Sequence, residues 1–272
     1  MRPLTIRAAA SALSACVIAA CHSAPEPQPT PLPVEQVPSP VRYTGGEQVL
    51  AAMRARYDGK WYSTLTFRQK TSRLGNDGKW NEQTWYEALR IPGRLRIDFD
   101  PVSAGNGVLY VHDSAFTIRN GKPLPPSASV NPLLVLGFDV YKESAARTAS
   151  ILRKEGFDLS RVHYASFEGR PMIVVGATAG DNKRPQFWVD VERLLFVRLI
   201  EPTPRDSSRL QDIRFTNYRQ VGDAWISPRV EIWSEGKLVF FEEYSDIKPD
   251  AQLDDALFDP TRWNSAKHWM KP

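Results

Sequence analysis

The sequence predicts an α+β domain that is mostly antiparallel β, built as one large curled sheet with helices laid on one face. Three observations carry this. Runs in which apolar and polar residues alternate recur between residues 61 and 247 and are separated by glycine- and asparagine-containing turns, the period-two signature of strands with one buried and one wet face. Helical spacing occurs at only two places, once before the strands and once in their middle, so the helices can pack as a layer on a continuous sheet. The strands number about eleven, which favours a curled sheet or barrel over a small sandwich.

The first element is a helix over residues 45–57, where Val49, Leu50, Met53 and Tyr57 share one face and Glu47, Arg54 and Arg56 lie off it. Asp58-Gly59 ends it. A strand follows over 61–68, with Trp61, Leu65 and Phe67 alternating with Tyr62, Thr64, Thr66 and Arg68. The turn Gly75-Asn76-Asp77-Gly78 leads into a long strand over 80–91, and Pro92-Gly93 turns the chain into 94–99. There Leu95, Ile97 and Phe99 face one way and Arg94, Arg96 and Asp98 the other, the cleanest alternation in the chain. Strands 108–111 and 115–118 close around Asp113-Ser114.

The middle of the chain, 131–156, reads as two helices: Pro132-Leu133-Leu134-Val135-Leu136, then 144–155 with Ile151 and Leu152 on an otherwise polar surface. Strands resume over 162–167, 172–177, 187–191, 194–200, 210–218, 225–233 and 238–247, with turn residues between them.

The N-terminal segment carries Arg2 and Arg7, then an uncharged, alanine-rich stretch from Ala8 to Ala20, the layout of a secretory signal. It is too short for a membrane span, which needs about 20 apolar residues. Ile18-Ala19-Ala20-Cys21 fits the pattern of lipoprotein processing, in which a thiol takes a lipid and a peptidase tolerant of small residues cuts before it. Leu13-Ser14-Ala15-Cys16 fits too; Cys21 is preferred because cutting at Cys16 leaves the apolar Val17 to Ala20 at the mature terminus. No other cysteine exists, so disulfides have no part in the mature domain. The expected organisation is a signal peptide over 1–20, a lipidated Cys21 with a proline-rich spacer over 21–41, and one domain over 42–272. His22 follows Cys21 where an inner-membrane retention signal has Asp, which favours a lipid-anchored place on the outer membrane facing the periplasm.

Net charge is +4 without a dense Lys/Arg run, so a nucleic-acid partner is not expected. Catalysis needs a nucleophile, a base or a metal at workable positions. The four histidines are scattered: His22 in the spacer, His112 and His163 on expected strands, His268 near the end. The neighbours Glu242-Glu243 and Asp254-Asp255 point to opposite faces and read as solvated charges, and Ser103-Ala104-Gly105-Asn106-Gly107 lacks the lysine and helix of a phosphate loop. No enzyme activity, metal or cofactor is expected.

What is abundant is aromatic surface: 8 Trp, 9 Tyr and 12 Phe. On a concave face such side chains line a pocket for acyl chains, which need mostly apolar contact. The residues expected to do so are Trp61, Leu65, Phe67, Trp85, Leu95, Ile97, Phe99, Phe116 and Phe187.

Several local patterns agree with this. Phe67-Arg68-Gln69, Pro92-Gly93-Arg94-Leu95-Arg96, the hairpin Phe187-Trp188-Val189-Asp190 to Leu194, Tyr218-Arg219-Gln220-Val221-Gly222 through Pro228, and Leu257-Phe258-Asp259-Pro260 together resemble the LolA/LolB-like family of lipoprotein carriers and receptors. The resemblance covers residues 46–262. It implies an open, incomplete β-barrel whose concave face is covered by helices, and acyl chains of lipids or lipoproteins as partners. A cysteine anchor makes the chain more like the membrane-attached receptor than the soluble carrier. Leu133-Leu134-Val135-Leu136 is either an exposed apolar segment or a buried lid helix. A second class of function fits the same layout: an envelope stress sensor or scaffold that binds a protein partner.

Overall fold

The computed structural model describes residues 41–203 and 206–270; the signal segment and Cys21 lie outside the described residues. The leading helical pattern forms α1 (Gly46–Arg56), which buries Gly46, Val49, Leu50 and Met53. Glu47 in its first turn and Arg54 and Arg56 in its last complement the helix dipole.

Three long strands follow, β1 (Thr64–Leu74), β2 (Trp80–Arg90) and β3 (Arg94–Phe99), then β4 (Gly107–Val111), β5 (Ser114–Arg119) and the two-residue β6 (Lys122–Pro123) and β7 (Ser127–Ala128). Next come α2 (Pro132–Gly137), a 3-10 turn over Asp139–Tyr141, and α3 (Ala145–Lys154). Both helices start on side-chain caps: Asn131 accepts from the Leu133 N–H at 3.0 Å and Ser144 from the Arg147 N–H at 3.2 Å. The chain continues through β8 (Val162–Phe167), β9 (Arg170–Val175), β10 (Gln186–Asp190), β11 (Phe196–Thr203), β12 (Asp206–Thr216), β13 (Arg219–Val221), β14 (Ala224–Ile226), β15 (Arg229–Ser234) and β16 (Lys237–Pro249), ending in 3-10 turns over Asp255–Phe258 and Pro260–Arg262.

One antiparallel sheet of 14 strands runs in the order β6-β5-β4-β3-β2-β1-β16-β15-β12-β11-β10-β9-β8, with β7 also on β5, while β13 and β14 form a separate ribbon. Pairing of β1 with β16 places the first and last long strands side by side in the centre of the sheet. The edges are the β5–β7 region and β8, the two elements that flank the helical interruption. The sheet curls without closing, and the expected open, incomplete barrel with helices is present.

The strand count exceeds the expected number for identifiable reasons. The stretch 225–233 breaks at Ser227-Pro228 into β14 and β15, since proline has no N–H to give to a ladder. Asn217 takes a left-handed φ of 59° and turns the chain into the β13–β14 ribbon. Trp61 and Tyr62, expected on the first strand, precede it and pack between helix and sheet.

The core has three parts. The largest joins α1, α2 and α3 to the inward faces of the long strands. On the convex face, Ala88, Leu109, Val111 and Ile118 are covered by Leu257, Phe258 and Trp263 of the C-terminal segment. A smaller convex cluster holds Phe167, Met172, Val174 and Trp188.

Candidate functional site

The site is the concave face. Alternation along β1 points Leu65, Phe67, Gln69 and Thr71 inward; Arg68 and Lys70 between them are exposed, and Arg73 at the strand's end lies on the inward side, exposed over the Phe240 ring. Register decides what each one meets. Phe67 lies opposite Glu87 of β2, and Gln69 lies opposite Trp85 of β2 and Tyr244 of β16. Thr71 lies opposite Glu242, and Glu87 in turn lies opposite Ile97 of β3.

Helices fill half of this face. Trp61 stacks on Tyr141 with ring centroids 3.8 Å apart and meets Tyr57 edge-on at 5.1 Å. The tyrosine hydroxyls are used: Tyr57 donates to the Arg193 carbonyl at 2.7 Å, Tyr218 donates to the Phe196 carbonyl at 2.6 Å, and Tyr141 accepts from the Phe196 N–H at 2.9 Å. Phe187 lies in the same half, edge-on to Phe157 at 6.0 Å. The other half, over β15, β16, β1, β2, β3 and β4, keeps half-buried side chains: Trp85 and Phe99, 4.9 Å apart, together with Tyr110, Ile232 and Tyr244. Phe67 stacks on Tyr244 at 4.2 Å.

The expected lining residues therefore divide. Leu65, Phe67, Leu95, Ile97, Phe187 and Trp61 are buried in the main core, with Trp85 and Phe99 packed half-exposed against it. Phe116 is elsewhere. It pairs with Leu109 and shares that residue's convex face, against the C-terminal segment. Alternation alone does not name the inward side of a short strand, because a shift of one residue reverses every side chain.

Sequence reasoning also missed the polar part of the face. Glu243 is the solvated charge expected, paired with Arg229 at 2.9 Å, but Glu242 faces inward. It accepts from the Tyr244 hydroxyl at 2.7 Å. Burial raises its carboxyl to about 7, and hydrogen bonds from Tyr244 and Gln69 hold it from rising further. Burial, and then the charge of Glu242, push Glu87 well above the ordinary carboxylate range. Gln69 is fully buried beside them; its Nε2 donates to Thr71 Oγ1 at 2.8 Å and its Oε1 has no partner.

A cavity of about 250 Å3 opens where the helices meet the β3–β5 edge, lined by Arg94, Tyr110, His112, Leu134, Asp139 and Thr148, among others. Burial raises Asp139 to about 8 against a bond from the Gly93 N–H, with Glu143 adding to the rise. Leu134, Val135 and Leu136 are buried, so the apolar segment of the middle region is a lid helix. His112 sits in the β4–β5 turn instead of on a strand, and His163 Nδ1 lies 2.9 Å from the Ala177 carbonyl on β8. Among the described residues no group of three or more His, Cys, Asp or Glu side chains could hold a metal, and no helix is long and apolar enough to cross a membrane.

Solved structures similar to this chain align with it over most of its length. A DUF1329 family protein from Desulfovibrio piger aligns with 79% of this chain and 95% of its own at 15% identity and a TM-score of 0.51. A domain from Vibrio parahaemolyticus described as outer membrane lipoprotein-sorting aligns with 80% of this chain and 97% of its own at 12% identity and a TM-score of 0.53. A LolA superfamily protein from Nitrosomonas europaea covers 77% of this chain and 96% of its own at 12% identity and a TM-score of 0.49. No protein-family model and no curated protein matches the chain. At these identities the likeness is one of fold, shared with the DUF1329 family protein and the Vibrio parahaemolyticus domain.

Proposed function

We propose that this chain is a non-catalytic binding protein of the cell envelope that takes acyl chains of lipids or lipoproteins against its concave face and takes part in their sorting to the outer membrane. A lipid on Cys21 would tether it to a membrane, a spacer over 21–41 would hold the domain off the surface, and residues 42–272 would bind the cargo. The observation that carries this is the half of the concave face away from the helices, where Trp85, Phe99, Tyr110, Ile232 and Tyr244 stay half-buried over a packed apolar floor. Covering such side chains is worth roughly 25 cal/mol per Å2, and each buried methylene of a chain adds about 0.8 kcal/mol. The name of the Vibrio parahaemolyticus domain agrees with this reading.

Native mass spectrometry with lipid extraction tests it, on the full chain purified from bacterial membranes in a detergent of known mass. Stoichiometric phospholipid or acylated peptide, with a diacylglyceryl adduct on the N-terminal peptide that disappears in Cys21→Ser, is the expected result. A lipid-free chain holding a protein partner would replace the reading with the sensor or scaffold.

A further inference from the structure

The concave face is not purely apolar, and its polar patch is short of donors. Glu87, Gln69 and Glu242 sit on three neighbouring strands, β2, β1 and β16, and face the same side. The donors nearest to them are spent within the protein: the Tyr244 hydroxyl on Glu242 and the Gln69 amide on Thr71 and Glu242. Gln69 Oε1 is buried with no partner, and among the described residues no donor reaches the Glu87 carboxyl. A buried acceptor left unmade costs about 1–3 kcal/mol, so a ligand that brings an N–H to Gln69 Oε1 recovers that cost. Half-buried Trp85, Phe99, Tyr110 and Ile232 lie around this patch, which gives an attached alkyl chain its surface.

Resting on the acyl-chain reading, we infer that Glu87, Glu242 and Gln69 form a socket for the ammonium group of an aminated amphiphile. An ammonium offers three donors and one positive charge to two carboxyls and an amide oxygen. The other titratable or charged groups facing the patch are Arg73, exposed and over the Phe240 ring, and the hydroxyls of Tyr110, Tyr244 and Tyr218. Burial, joined at Glu87 by the charge of Glu242, leaves the pair holding a proton near neutral pH; an arriving ammonium takes its place and the carboxyl proton leaves to solvent. A neutral or anionic head group of equal chain length has no such exchange.

The test is isothermal titration of the delipidated full chain near neutral pH with decylammonium, 1-decanol and decanoate, repeated in buffers of different ionisation enthalpy. Decylammonium should bind about tenfold or more tightly than decanol, equivalent to about 1.4 kcal/mol, and release protons on binding, whereas decanol should release none. The double variant Glu87→Gln with Glu242→Gln, checked for fold by circular dichroism, should lose the preference and the proton release while still binding decanol. Equal binding of the three probes without proton release would overturn the socket and leave the acyl-chain reading standing. If no probe binds, the acyl-chain reading fails and takes the socket with it.

Discussion

Asp139 offers a test of the electrostatics of the helical layer in a single atom change. It lies in the 3-10 turn between α2 and α3, buried, with one carboxyl oxygen unpartnered and the Gly93 N–H as its bond. The folded state holds the proton up to about 8, against an ordinary value of 3.8. Below 3.8 both states are protonated and the group is neutral to stability. Above it the unfolded chain ionises first, so stability falls as pH rises until the folded pKa is reached. From 3.8 to neutral pH the loss is about three pH units at about 1.4 kcal/mol each, so about 4 kcal/mol as an upper bound and about half that once the site relaxes. Asp139→Asn keeps the shape, keeps an oxygen for Gly93 and removes the titration. Urea unfolding from acid to mildly alkaline pH should show the variant gaining about 2 kcal/mol over the parent near neutrality, with the gain vanishing toward pH 4. A stability difference that stays constant with pH would show that Asp139 ionises freely in the folded protein, and the reasoning would fail.

Arg96 is bidentate to Asp98 at 2.8 and 2.9 Å, lies over Trp263 at 3.7 Å and is almost fully buried with its partner. Arg96→Met leaves Asp98 an uncompensated buried charge and should cost about 3–5 kcal/mol, with early proteolytic loss of the C-terminal segment that Arg96→Met with Asp98→Leu largely restores. A Cβ on Gly107 would stand 2.1 Å from the Ile97 carbonyl and 2.7 Å from Trp263, so Gly107→Ala should lower stability by about 1–3 kcal/mol in thermal unfolding. Trp85→Asp or Phe99→Asp should abolish retention of acyl cargo in lipid extraction from a folded variant. Phe116→Asp, on the convex face, should spare retention and instead speed cleavage of the tail.

Much of the architecture was readable in advance because it depends on local pattern. The alternation of Leu95, Ile97 and Phe99 with Arg94, Arg96 and Asp98 named the two faces of β3, and the three-to-four spacing of Val49, Leu50 and Met53 named the buried side of α1. The short strands were different. Phe116 could be placed on a strand but not on a face, because its side depends on the partner strand's register and on a C-terminal segment that covers Leu109 from more than a hundred residues away.

The candidate site divides along the same line. Of the expected apolar residues all but Phe116 lie on the concave side, since each announces itself by its own side chain, whereas Tyr110, Ile232 and Tyr244 were not named. Nor were the acceptors: Glu242 sits next to Glu243 in the chain and reads as one more surface charge. The sequence by itself determined the order of helices and strands, their apolar faces and the antiparallel class, all properties of periods two and three-to-four. Only the tertiary structure decided that β1 lies against β16 and β2, bringing Glu87, Gln69 and Glu242 to one side. Whether a carboxyl is a solvated anion or a buried, proton-holding acceptor follows from the dielectric around it, and that is set by strands far apart in the chain.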